Sequence, residues 1–147
     1  MRIIIPGATR KNVFKEVARL RNQDAEVLFD EEHLLGSVYL LGYSIECYLK
    51  YTVCERNGWN RLPEKVQIPG YVKEKDLYTH DWPVLVEVAG ISRSIREQKE
   101  IDAIYSALCE QWGPELRYRT KPFSDQEGTD LYKDLAQLYQ FLKEIVP

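Results

Sequence analysis

Apolar residues recur along most of this chain at intervals of three and four, the period of a helix with one buried side. The pattern is densest over Leu34–Arg56, where Leu34, Val38, Leu41, Ile45, Leu49 and Val53 form one stripe. Gly36, Ser37, Gly42 and Ser44 lie among them. Small residues let a neighbour approach, although each glycine costs a helix roughly 1 kcal/mol against alanine. This stretch predicts the central helix of a bundle. Leu35, Tyr39, Tyr43, Tyr48 and Tyr51 spread around its other sides. Tyrosine suits surfaces that are apolar at one end and wet at the other, as subunit seams are. A two-fold homodimer is therefore expected, with Tyr43 and Tyr48 at its interface.

The flanking segments read as further helices. Phe14, Val17, Ala18, Ala25, Leu28 and Phe29 give Lys11–Phe29 an apolar side, with Arg21 intruding. Asn57-Gly58 ends the central helix, since glycine commonly follows a helix end. The segment 57–79 has Pro63, Pro69 and Gly70 and little periodicity, and a stretch this long without structure of its own is usually functional or mobile. Trp59 and Tyr71 are expected to pin it. Asp81 as cap and Pro83 in the first turn open a third helix that stops at Gly90. Ser94-Ile95-Arg96-Glu97 fits a capping box, predicting a fourth helix through Gln111, stopped by Trp112-Gly113-Pro114. Ser124-Asp125-Gln126-Glu127 is a second box, opening a last helix with Leu131, Leu135, Leu138, Leu142 and Ile145. The sum is an all-α up-down bundle of about five helices without a sheet. Residues 1–10 form an extended arm and 11–147 a single helical domain. The run Ile3-Ile4-Ile5-Pro6-Gly7 lacks the spacing of a dinucleotide-binding turn.

Composition narrows the function. A chain of 147 residues buries one full core. Its net charge of −3 argues against broad, unspecific nucleic-acid binding and leaves room for a local basic site. The three cysteines, without a CxxC pair, read as reduced thiols of a cytoplasmic protein. No secretory signal or membrane span is expected. With two scattered histidines, no metal or other cofactor is expected. Arg10, Lys11, Lys15, Arg19 and Arg21 crowd the start of the first helix, against the preference of the helix dipole. They are either a solvated face or a basic patch kept for a phosphate or an acidic partner.

Few residues can carry chemistry. Glu46 precedes Lys50 by four, so the two form either a surface ion pair or a pair at the edge of the buried stripe. Arg117, Tyr118, Arg119 and Lys121 combine three cations with an aromatic, which suits phosphate contact with base stacking, or else a surface loop with its tyrosine turned in. His80 is either an acid–base group or part of the helix start at Asp81.

The text VYLLGYSIECYLK, with Glu46 and Lys50 as E-x-x-L-K, resembles the second helix of HEPN domains (higher eukaryotes and prokaryotes nucleotide-binding). Tyr78-Thr79-His80-Asp81-Trp82 resembles the His-Asp-Leu that opens that family's third helix, with Trp82 in place of leucine. Trp112 through Arg117-Tyr118 resembles a segment of one HEPN branch, and the resemblance spans about Lys11–Val146. It implies a four- or five-helix bundle and a homodimer. Some members of that family are metal-independent ribonucleases of toxin–antitoxin or defence systems; others are non-catalytic partners of minimal nucleotidyltransferases. The ribonuclease group carries an arginine four to six residues from a histidine. Here the arginines upstream of His33 and His80 are Arg21 and Arg61, both too distant.

The expectation is thus a non-catalytic dimeric module for a nucleotide, RNA or a nucleotidyltransferase partner. Glu46, Lys50, Arg117, Tyr118, Arg119 and Lys121 are its candidate ligand residues. The resemblance turns Glu46 inward near the seam, where an arginine should meet it, and Arg117 is the best placed in sequence. The alternative is a divergent metal-independent endoribonuclease drawing on His80, Arg117 and Tyr118.

Overall fold

The computed structural model describes residues 9–67, 70 and 72–147. Most of the expected arm and the anchoring role of Tyr71 therefore lie outside the described residues. The order of elements is α1 (Lys11–Asp30), α2 (Leu34–Asn57), β1 (Lys65–Val66), β2 (Lys75–Asp76), α3 (Trp82–Ala89), α4 (Ser92–Arg96), α5 (Lys99–Gln111) and α6 (Asp125–Ile145). A 3-10 turn spans Pro114–Tyr118. The chain is an all-helical bundle, as its periodicity predicts. The only sheet among the described residues is the antiparallel pair β1–β2, inside the segment expected to lack structure.

The central helix is central. α1 packs against it antiparallel, in a register fixed by three contacts. Leu28 touches Gly36, Ser44 Oγ donates to Ala18 O at 2.8 Å, and Lys11 Nζ donates to Glu55 Oε2 at 2.8 Å. α6 runs the other way, parallel to α2: Leu34 meets Gly128 at one end, and the Tyr48 hydroxyl donates to Val146 O at the other. A Cβ at Gly128 would lie 2.7 Å from that of Leu34, so the first turn of α6 tolerates nothing larger. Gly42 is filled in the same way by the indole of Trp112, whose ring would stand 2.0 Å from an added Cβ. Trp112 Nε1 donates to Val38 O at 3.2 Å and locks the contact.

The caps fall where the sequence puts them. Gly58 and Gly90 follow α2 and α3 with φ near +71°, Asp81 accepts from Val84 N, and Ser124 accepts from Glu127 N. The predicted fourth helix is instead two. The proposed box at Ser94 does not cap; Ser94 lies inside α4, and the chain restarts after Gln98. The reason is packing. Ile95 on α4 and Ile101 on α5 are both buried; on one helix at 100° per residue they would stand about 120° apart, and the break at Glu97–Gln98 lets each segment turn its own isoleucine inward.

The segment after Gly58 changes the burial of α2. Its Leu62 and Leu77 are fully buried, and the Tyr78 hydroxyl donates to Leu62 O at 3.2 Å. With this cover in place, every residue from Ser44 to Cys54 is buried within one chain. The helix does not need a second subunit to wrap its second half. The long segment also sets direction. His80, before α3, meets Glu46, while Asn57 Nδ2 donates to Val88 O at the far end, so α3 runs with α2.

Candidate functional site

Tyr39, Tyr43, Glu46 and Lys50 follow one another on α2 at steps of four, three and four, and so share one side of it. α1 covers the adjoining side through Gly36 and Ser44, and Trp112 covers Gly42 opposite. Between them Tyr39 and Tyr43 stay half-buried, whereas Glu46 is 1% exposed.

A buried carboxylate is costly unless its oxygens are bonded. Glu46 Oε2 accepts from Lys50 Nζ at 3.1 Å, and Oε1 lies 2.6 Å from His80 Nδ1. Lys50 is itself buried, with its ammonium 6.0 Å and 5.9 Å from the ring centres of Phe14 and Tyr78. The Glu46–Lys50 pair thus exists at the expected spacing but is a buried pair, not a surface one. The expected partner from another helix is a histidine, His80, and not Arg117. Sequence reading missed this contact because the two residues are 34 positions apart on either side of the long segment.

His80 is well placed to act outward. Its side chain is 51% exposed, while its Nδ1 faces the buried carboxylate. The turn that carries it is fixed by Asp81 N donating to Thr79 Oγ1 at 3.1 Å and by the cap of α3. A carboxylate at Nδ1 fixes the ring's orientation and keeps that nitrogen protonated, which leaves Nε2 as the acceptor for an incoming group. Neighbouring side chains stay neutral. The Cys47 thiol beside it, together with burial, pushes Tyr43 up to about 12. Burial, then the Glu46 charge, pushes Cys47 up to about 11. Neither is poised as a nucleophile or a base at neutral pH.

Arg21 is the second residue the sequence underrated. It lies at the edge of the buried stripe of α1, between Ala18 and Ala25. One guanidinium nitrogen, Nη1, lies 3.2 Å from Asp24 Oδ2. Its Nε is buried with no partner among the described residues. The available signal was an arginine inside an apolar stripe.

The loop 115–123 divides. Arg117 is exposed and lies 5.0 Å over the Tyr118 ring, and the Tyr118 and Tyr39 hydroxyls raise its pKa. Tyr118 is 74% exposed, so it does not turn inward, and Lys121 is exposed too. Arg119 is committed to structure: Nε donates to Lys121 O at 2.7 Å, Nη2 reaches Glu127 at 3.5 Å, and the guanidinium covers Phe123. Tyr48 is no seam residue. It is 2% exposed in the single chain, with its hydroxyl on Val146 O and its ring edge-on to Tyr139, so it has almost no surface to lose. Tyr43 keeps its accessible edge.

Cys47 and Cys54 are buried, Cys109 is half-buried, and all three are free. Among the described residues no helix is long and apolar enough to cross a membrane. No protein-family model, curated protein or solved structure matches this chain.

Proposed function

We propose that this chain is a HEPN-like helical module that holds RNA or a nucleotide by its phosphates, without cleaving it, on the open side of α2. The observation that carries the reading is the Glu46–His80 contact. The buried carboxylate that pairs with Lys50 also holds one half-exposed imidazole by its Nδ1. Tyr39 and Tyr43 lie on the same side of α2 as flat surfaces for a base, with Arg21 on α1 and Arg117 beside Tyr39 as cations for phosphate. Pairing of two copies through Tyr43 would set two such surfaces side by side, and a nucleotidyltransferase partner would dock on the same side. The setting is that of the family resemblance, a toxin–antitoxin or defence system.

Fluorescence anisotropy with labelled single-stranded RNA tests the reading. Affinity should fall as salt rises and drop about tenfold or more in Arg21→Ala/Arg117→Ala, with the RNA intact on a gel. An unchanged affinity in that variant would refute it. The Nδ1 anchoring of His80 favours one second reading, a divergent metal-independent endoribonuclease with Nε2 as general base. Cleavage that persists in chelator and disappears in His80→Ala would establish that reading in place of the first.

A further inference from the structure

A cleft of about 570 Å³ opens between α1 and the end of α6, lined by Asn12, Lys15, Arg19, Tyr48, Tyr139 and Lys143 with Glu16, Asn22 and Pro147. It is separate from the side of α2 that faces His80. Tyr43 and Tyr48 are five residues apart, about 140° around the helix at 100° per residue. The cleft takes up residues of the basic run at the start of α1, which the binding surface around His80 leaves unused.

Its electrostatics point to an anion. Lys15, Arg19 and Lys143 stand against a single acid, Glu16, in a chain whose net charge is −3. Glu16 is engaged by Arg19, whose Nε donates to its Oε2 at 3.0 Å. Among the described residues Lys15 and Lys143 have no carboxylate partner. Their ammonium groups rest instead 4.9 Å from the Tyr51 ring centre and 4.6 Å from that of Tyr139. Aromatic faces hold these cations at the rim without neutralising them. The floor is apolar, because Tyr48 turns its hydroxyl inward to Val146 O and packs edge-on against Tyr139.

We propose that this cleft binds a small phosphate monoester with a flat apolar body. Lys15 and Lys143 meet the phosphate dianion, and the body lies along Tyr139 and Pro147. A cleft of this volume suits a ligand of drug size, and charge-assisted contacts of this kind are the strong ones.

Titration calorimetry with 1-naphthyl phosphate tests this, with inorganic phosphate and 1-naphthol as halves of the probe. The phosphate ester should bind more tightly than either half. Lys15→Glu/Lys143→Glu should weaken it at least tenfold, the milder Lys143→Gln about threefold, and Lys133→Glu on the exposed part of α6 should leave it unchanged. Circular dichroism confirms that each variant is folded; were the double variant to unfold, Lys143→Gln decides. Binding no tighter than that of inorganic phosphate, or equally strong in Lys143→Gln, would overturn the proposal. That result would leave the RNA reading standing, since it concerns neither Arg21 nor Arg117.

Discussion

At Glu46 the charge is 1% exposed and both carboxylate oxygens have a partner; at Arg117 the guanidinium is exposed and rests on tyrosines. The sequence reading brings these two residues together, and the fold keeps them apart. Arg117 reaches α2 at Tyr39, seven residues before Glu46, or about 10 Å along the axis at about 1.5 Å per residue. The difference shows how each region is held. The Glu46 corner is tied into the core by a lysine that is itself buried, so its geometry is set by folding. The Arg117 loop hangs on a short turn, so its geometry is open to a ligand.

The largest effect should come from Glu46→Ala. It leaves Lys50 buried without a counter-charge, and loss of one member of such a pair costs about 3–5 kcal/mol. Urea denaturation should report that loss; a change below about 1 kcal/mol would show that the corner is not held as described. Next comes alkaline pH. Cys47 and Cys54, each pushed up to about 11 by burial, and Tyr43, pushed up to about 12, keep protons that the unfolded chain releases earlier. Their contribution is complete below about pH 9 and is lost as pH rises through 11 to 12. Each buried thiol accounts for about 1.4 kcal/mol for every pH unit by which folding raises its pKa. Denaturation at pH 8 and pH 10.5 checks it; equal stability at both would contradict the tight packing beside Glu46.

Gly42→Ala acts between the two regions, because it drives a methyl into Trp112. Overpacking of this kind costs about 1–3 kcal/mol and should shift tryptophan fluorescence. An alanine accepted at no cost would mean that Trp112 is free to move. The smallest effect on stability belongs to Arg117→Ala, within about 0.5 kcal/mol, as for an ordinary surface change. Its consequence should appear in RNA affinity alone, and a large loss of stability would make the loop structural.

Much of the bundle was legible. Val38, Leu41, Ile45 and Leu49 mark the core side of α2 by spacing alone, and Asp81, Gly58 and Gly90 mark element ends by their chemistry. The break at Glu97–Gln98 was not legible, because Ser94 and Glu97 imitate a cap while the burial of both Ile95 and Ile101 decides otherwise. In the site, the Glu46–Lys50 pair is legible because four residues is a local distance. His80 and Arg21 stand out in the sequence, but what they face does not, since that depends on where a long segment and a second helix return. The full burial of Tyr48 was hidden for the same reason: it is supplied by residues almost a hundred positions later.

That last dependence has a bearing on how the chain folds. The Tyr48 and Tyr51 hydroxyls are satisfied by Val146 O and Pro147 O, across 98 and 96 positions. The α1–α2 hairpin, whose contacts are comparatively local, can form early in synthesis, but two of its tyrosines then wait for Val146 and Pro147 to emerge. At roughly 5–20 residues per second that wait lasts on the order of ten seconds. Closure of α6 beside α2 joins segments almost a hundred positions apart, a longer loop than the α1–α2 hairpin closes. Until then the nascent hairpin presents an unfinished tyrosine-lined surface, the interval in which a chaperone or a second nascent copy would find it.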